Sequence, residues 1–145
     1  MRIFTAIVIL LLVTLPVFDA QGGAANDTLY VSGKAVVFFG PTQAEYDSLS
    51  EEEKAEMDEV LSDFYYYREQ VISFLKSNQI QEFLTESPRI QIQLSRSERR
   101  TFLRRNFNPN VGLIMTDGNQ EPKVFLGVAT DVDLVPIFEE YFGLK

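Results

Sequence analysis

The residues with the clearest chemical potential in this sequence are arginines in its second half. A guanidinium group binds a carboxylate or a phosphate through paired hydrogen bonds, whereas a lysine ammonium acts as a point charge. The cluster contains no lysine and a single acidic residue, Glu98, so it predicts recognition of a planar anion or an acidic partner. The alternative is a solvated surface whose charges pair with acidic residues elsewhere. The members are Arg89, Arg96, Arg99, Arg100, Arg104 and Arg105.

A cluster of opposite charge covers residues 45–63, where Lys54 is the only cation. It is consistent with a docking surface for a basic partner or with loose calcium binding. The other interpretation is a solvated helix face with favourable negative charges near the helix N-terminus. The acidic residues are Glu45, Asp47, Glu51, Glu52, Glu53, Glu56, Asp58, Glu59 and Asp63.

A run of four aromatic residues at positions 64–67 supplies the second candidate binding surface. Three successive tyrosines must fan around a helix, so we expect at least one to be exposed, and exposed tyrosine is a favoured interface anchor. The alternative is that the rings pack over the loop at residues 40–41. The candidate residues here are Tyr65 and Tyr66, with Pro41 and Thr42 of the 40–43 loop.

The residue types that are missing exclude several kinds of catalysis. The chain has neither cysteine nor histidine, which removes dithiol redox chemistry, thiolate-held metals and a Ser-His-Asp triad. A calcium loop starting at Asp117 fails because its twelfth position is Val128. We therefore predict no metal, cofactor or catalytic residue. The enzymatic alternative is an anionic substrate clamped by Arg99, Arg100 or Arg104, with Asp131 or Asp133 as acid or base.

The composition and the N-terminal segment limit the partners and the cellular compartment that we expect for this protein. A net charge of −8 disfavours nucleic acid, and 46% apolar residues support an ordinary folded core. Residues 3–18 are almost wholly apolar after Arg2, which predicts a signal peptide over residues 1–20, with cleavage as late as residue 25. The alternative, a membrane anchor, needs about 20 apolar residues. We expect an exported protein, periplasmic or extracellular, with a lead-in at 21–33 and one domain at 34–145.

Hydrophobic periodicity predicts the elements that position these residues. An apolar strand at 35–39 precedes a helix that begins at a Ser50 capping box and ends near residues 77–78, with a further turn or two through Ile80–Leu84. An alternating strand follows at 89–94. The remaining predicted elements are a short helix from Ser95 or Ser97 to about Phe107, strands at 111–116 and 123–128, and a helix capped by Thr130 and ended by Gly143.

The C-terminal third resembles thioredoxin-like domains. The strand at 111–116, the Asp117-Gly118 turn and then Gly127, Thr130, Leu134 and Ile137 match the strand-turn-strand-helix pattern of that fold. The resemblance implies a mixed α/β fold: a three-layer α/β/α sandwich with a four-stranded mixed sheet (βαβαββα) in the order second-first-third-fourth. The apolar runs at 35–39 and 111–115 suit its interior strands, and the alternating strand at 89–94 suits an edge.

This chain departs from the family where thioredoxins perform their chemistry. Residues 40–45 stand where the Cys-x-x-Cys pair is expected, and Pro109 lies two residues before the position of the family's cis-proline. The resemblance therefore implies a scaffold without redox or isomerase activity. We expect a module that binds a protein or peptide, with acidic and arginine-rich surfaces on opposite sides of the sheet. A structural component of the cell envelope is a further alternative.

Overall fold

The computed structural model describes residues 27–95, 100–104, 111–127 and 133–145. These residues form a mixed α/β structure of three helices and two mixed sheets. The predicted signal segment, Pro109 and the Thr130 cap lie outside the described residues. The strands are β1 Thr28–Ser32, β2 Ala35–Phe39, β3 Gln81–Thr85, β4 Arg89–Gln93, β5 Arg100–Arg104, β6 Gly112–Thr116 and β7 Lys123–Leu126, and the helices are α1 Gln43–Asp47, α2 Glu51–Ser77 and α3 Leu134–Phe142.

The four-stranded sheet has the order β3-β2-β6-β7. Strand β2 is parallel to β3 and antiparallel to β6, and β6 is antiparallel to β7. Every residue of β2 and β6 is buried, because both strands are interior and covered on two faces. The predicted strands at 35–39, 111–116 and 123–128 are confirmed, with small shifts at their ends.

The strand beside β2 is not the one that the sequence predicts. We expected helical turns over Ile80–Leu84 and the edge strand at 89–94, but β3 occupies the edge position. Helix α2 ends at Asn78, and Gln79 then adopts a left-handed backbone with φ of 57°. That reversal brings the Gln81 N–H to the Lys34 carbonyl at 3.0 Å, where pairing with β2 begins. Pairing between distant segments thus overrides the local helical pattern.

The second sheet has three strands in the order β1-β4-β5. Strand β4 is parallel to β1 and antiparallel to β5, so it is the central strand of this sheet. The helix predicted from Ser95 or Ser97 to Phe107 is wrong over residues 100–104, which form β5. The physical reason is a two-residue alternation: Thr101 and Leu103 are partly buried, whereas their neighbours in the strand are exposed.

The four-stranded sheet lies between the helices and the three-stranded sheet. On one face, Phe38 packs with Phe64 and Leu75 of α2 and with Phe138 of α3. On the other face, side chains of β2 pack against Ile90, Ile92 and Val31 of the second sheet. The expected helical third layer is therefore replaced, among the described residues, by a β-sheet.

The ends of the two longer helices follow from local sequence. The Ser50 side chain accepts from the Glu53 N–H, and the Glu53 carboxylate accepts from the Ser50 N–H, which confirms the predicted capping box. Helix α3 begins after Asp133, whose carboxylate accepts from the Val135 N–H at 3.0 Å. It ends at Gly143 in the left-handed conformation, as predicted.

Candidate functional site

The outer face of the three-stranded sheet collects exposed basic and aromatic side chains. Side chains in a strand alternate between faces, and directly paired residues of neighbouring strands share a face. Because Val31, Ile90, Ile92 and Leu103 belong to the core between the sheets, the residues between them point outward. The outer residues are Thr28, Tyr30 and Ser32 of β1, Arg89, Gln91 and Gln93 of β4, and Arg100, Phe102 and Arg104 of β5. We call this surface the arginine-aromatic face.

The pairing register sets these side chains in three rows. Gln91 lies between Tyr30 and Phe102 in the central row, and the two rings are 68% and 50% exposed. Arg89 and Arg104 are directly paired in one outer row, and the guanidinium carbon of Arg89 lies 6.0 Å from the centroid of the Phe102 ring. That distance is within the range of a cation–π interaction. Cations and aromatic rings are therefore interleaved on one surface.

Arg100 lies in the third row, beside Gln93. It borders a small hollow of about 130 Å³ whose other outward-facing walls are Tyr30, Ser32, Gln91 and Gln93. All of these polar groups can accept or donate hydrogen bonds. The hollow therefore offers a guanidinium fork beside amide groups, a combination that suits a carboxylate ligand.

The arginines of this face have no acidic partner among the described residues. None of the nine outer residues is acidic. The ion pairs of α2 join Lys54 to Glu51, and Arg68 to Glu69 and Glu82. The four-stranded sheet separates α2 from the arginine-aromatic face. The described arginines of this face therefore do not pair with the acidic helix, which is what the alternative interpretation required.

The predicted arginine cluster is only partly described. Arg89, Arg100 and Arg104 lie together on one face, whereas Arg96, Arg99 and Arg105 lie outside the described residues. The sequence predicted a strand for Arg89 and a helix for the other five arginines, and it did not indicate their aromatic neighbours. The signal that could have revealed the strand is the alternation of residue types over positions 100–104. The contribution of Tyr30 had no such signal, because it depends on pairing with a distant strand.

The second predicted surface forms a cavity of about 460 Å³ at the carboxyl ends of β2 and β3. Pro41, Thr42 and Tyr65 line it, so three of the four candidate residues come together there. Tyr66 does not line it; this residue is 61% exposed and packs edge-on against Tyr67. The other lining residues are Gly40, Gln43, Tyr46, Asp58, Leu61, Leu84, Thr85 and Glu86.

Two polar contacts organise the rim of this cavity. The Thr42 hydroxyl accepts from the Glu45 N–H at 3.2 Å, in a capping box that starts α1. The Tyr46 hydroxyl donates to Asp58 Oδ1 at 2.7 Å and so joins α1 to α2. That hydrogen bond, followed by partial desolvation and the charges of Asp58, Glu51 and Asp47, raises the pKa of Tyr46 above its ordinary value. The rim therefore carries nearby negative charge from these carboxylates.

Among the described residues, the proposed acid or base does not lie beside the proposed arginine clamp. Asp133 caps α3, which packs on the helical side of the four-stranded sheet, away from the arginine-aromatic face. Asp131 lies outside the described residues. Within residues 27–95, 100–104, 111–127 and 133–145, no group of three acidic side chains is arranged to hold a metal ion. Over the same residues, no helix is both long enough and apolar enough to cross a bilayer.

Comparison of the chain with protein-family models, with curated proteins and with solved structures finds no match.

Proposed function

We propose that this protein is a binding module without thiol redox chemistry, which captures an acidic segment of a protein partner on its arginine-aromatic face. The observation that carries the proposal is the composition of that face. Arg89, Arg100 and Arg104 surround the exposed rings of Tyr30 and Phe102, and the nine outer residues include no carboxylate.

The two side-chain types contribute different parts of such an interaction. An aromatic ring buries a large apolar area at a low cost in side-chain entropy, and Tyr, Trp and Arg dominate interface energetics. Guanidinium groups select carboxylates by geometry and charge. Each exposed ion pair contributes only about 0–1 kcal/mol, so several arginines must act with the rings. We expect an acidic segment that also carries apolar residues.

A folded or extended polypeptide fits the charge of the whole chain better than nucleic acid does. Aromatic rings among arginines on a sheet are also suited to single-stranded nucleic acid. However, the net charge of −8 opposes the approach of a polyanion at long range. A partner with one local acidic segment experiences less of that repulsion. Export, which the apolar segment at 3–18 favours, would also remove nucleic acid from reach.

The thioredoxin-like resemblance remains our proposal for the scaffold. The order β3-β2-β6-β7, with β2 parallel to β3 and β7 antiparallel to β6, supports it. In this arrangement the edge strand is Gln81–Thr85, and a sheet covers the face where a helix was expected. The 40–43 loop follows β2 where the family carries its cysteine pair. A scaffold without that pair is free to serve binding alone.

The test is affinity purification of the protein and its charge-reversed variants from the cell envelope, with mass spectrometry of what accompanies them. The variants are Arg100→Glu and Arg104→Glu, and Lys123→Glu on β7 is the control with the same change in net charge. We expect partners that Lys123→Glu retains and that both arginine variants lose. Retention of every partner by both arginine variants would refute the proposal.

A second measurement makes the result independent of the partner's identity. A labelled peptide rich in glutamate and containing one phenylalanine is titrated while amide resonances are followed by NMR. We expect shifts at Tyr30, Gln91 and Phe102, and weaker binding at higher salt because exposed charges are screened. Shifts confined to other surfaces would contradict the assignment.

A further inference from the structure

The cavity at the carboxyl ends of β2 and β3 lies on a different part of the molecule from the arginine-aromatic face. The Gly40 N–H donates to the Thr85 carbonyl at 3.2 Å, which joins the ends of the two strands at its floor. One wall is a single face of α2, because Asp58, Leu61 and Tyr65 recur at helical spacing. In open α/β sheets, the carboxyl ends of parallel strands are where ligands bind.

The lining combines apolar surface with negative charge. Pro41, Leu61, Tyr65 and Leu84 provide apolar contacts, and the ring of Tyr65 and the side chain of Leu84 are 46% and 44% exposed. Two carboxylates, those of Asp58 and Glu86, line the same cavity, and no lysine or arginine among the described residues does. An apolar pocket with a few convergent polar groups is the usual form of a ligand site.

The carboxylate of Asp58 is held in place and keeps one oxygen for a ligand. Its Oδ1 accepts from the Tyr46 hydroxyl at 2.7 Å, and no other described group donates to this carboxylate. The hydrogen bond ties the carboxylate to α1, and the residue lines the cavity together with Leu61 and Tyr65. Glu86 also interacts within the chain, so Asp58 is the residue that pairs with a ligand and Glu86 contributes only a second negative charge.

We propose that this cavity binds a cation carried on an apolar stem, an ammonium or guanidinium group that pairs with Asp58 while the stem packs on Leu61, Tyr65 and Leu84. The volume of about 460 Å³ accommodates a ligand of this class. One cation of the chain itself lies close to this region. The Lys54 ammonium lies 6.0 Å from the centroid of the Tyr46 ring and 3.2 Å from Glu51 Oε1, outside the cavity.

Two sources could supply such a group: a small free amine, or a lysine or arginine side chain of a polypeptide. A second hollow of about 650 Å³ adjoins the cavity and shares Thr42, Gln43, Thr85 and Glu86 with it. It extends along Leu29 and Ser87. A polypeptide would occupy both hollows, whereas a small amine would occupy the first alone.

The experiment is an NMR titration of the purified protein with phenethylamine, paired with 2-phenylethanol as the neutral ligand of the same shape. We expect saturable shifts at Gly40, Thr42 and Leu84 with the amine, and about three-fold weaker binding of the alcohol. Equal affinity for the two ligands, or no saturable shift at these residues, would overturn the proposal.

Two matched variants test whether the negative charge of Asp58 is the one that binds the amine. Asp58→Asn keeps the shape and an oxygen that can accept from Tyr46, and we expect it to weaken amine binding about three-fold. Glu56→Gln removes one negative charge from an exposed position on the same helix that does not line the cavity, and we expect no change. Equal losses in both variants would mean a nonspecific charge effect and would refute the site.

A peptide arm distinguishes the two sources. Acetyl-Ala-Lys-Ala-amide is compared with the same peptide carrying norleucine in place of lysine. Additional shifts at Leu29 and Ser87, with tighter binding than the free amine, would support the cation site and assign it to a polypeptide side chain. Shifts confined to the first cavity would support the site and assign it to small amines.

Discussion

The ring of Phe39 lies against Gly112, the residue directly opposite it in the β2–β6 pair. A Cβ atom at position 112 would lie 2.6 Å from Phe39 Cζ and 2.2 Å from the Phe125 carbonyl oxygen. Real Cβ atoms do not approach other heavy atoms so closely. Glycine at this position lets three segments, β2, β6 and β7, pack at their observed separation in the middle of the sheet.

Gly112→Ala should therefore destabilise the protein by about 2 kcal/mol or more, since a backbone oxygen and a buried ring must both shift. Urea unfolding of the variant and the parent measures the difference. Gly127→Ala is the control, because no atom of the described residues lies within 4 Å of its Cβ position and its left-handed φ of 75° is what opposes alanine there. We expect it to cost about 1 kcal/mol. A loss at Gly112→Ala no larger than at Gly127→Ala would contradict the packing described here.

Thr116→Val should stabilise the protein by about 1 kcal/mol. Thr116 is fully buried at the end of β6, and its hydroxyl has no hydrogen-bond partner among the described residues. Valine has nearly the same shape and removes the cost of burying an unpaired polar group. Thermal unfolding provides the measurement, and Thr116→Ser, which keeps the hydroxyl and loses the methyl group, should be less stable than the parent. A destabilised valine variant would reveal a partner for the hydroxyl.

Arg68 and Glu82 connect the long helix to the edge strand β3, and their side chains are only 19% and 17% exposed. Glu82→Ala should destabilise the protein by about 1–2 kcal/mol, because it leaves a largely buried guanidinium without its main partner. Arg68→Met with Glu82→Leu should recover most of that loss, since both charges are then absent. A double-mutant cycle by urea unfolding gives the coupling free energy. Additive losses would mean that the two side chains do not interact.

The stability of the protein should fall at alkaline pH because of Tyr141. Burial, followed by the charge of Asp117, raises the pKa of Tyr141 well above its ordinary value of 10.0. The unfolded chain therefore releases this proton more readily than the folded one. The corresponding stability is complete below pH 10 and is lost progressively as the pH rises above 10.

Tyr141→Phe tests this expectation, because it removes the titrating group and the hydrogen bond to the Glu121 carbonyl. We expect a lower stability at pH 7 and a flatter decline between pH 10 and 12 than in the parent protein. Tyr66→Phe, at an exposed position, is the control that removes a tyrosine hydroxyl outside the core. An identical alkaline decline in Tyr141→Phe and the parent would assign the effect to other groups.

Local signals were sufficient for part of this fold. The Ser50 capping box predicted the start of α2, and continuous apolar runs predicted the interior strands β2 and β6. They failed at Gln81–Thr85 and Arg100–Arg104, where pairing with distant strands decides the backbone conformation. Each segment hydrogen-bonds to one neighbouring strand, and no local pattern in the sequence contains that pairing.

The candidate sites divide in the same way. Clustered arginines can be recognised from composition, but the position of Tyr30 beside them follows from the pairing of β1 with β4. The contact between Tyr46 and Asp58 requires the chain to reverse between α1 and α2. Neither contact leaves a periodic trace in the sequence. The residue types of the candidate sites were therefore predictable from the sequence, whereas the contacts between those residues were not.

Strand β1 makes the fold sensitive to cleavage of the chain near residue 27. The Ser87 hydroxyl donates to the Asp27 carbonyl at 2.7 Å, and the Gln81 side-chain amide donates to the Ser32 carbonyl at the same distance, so both ends of β1 are fastened to other segments. A protease that cut the chain beyond residue 27 would release strand β1 from the three-stranded sheet and expose Ile90 and Ile92 to water. A chain shortened past that point should therefore unfold more readily and be degraded faster.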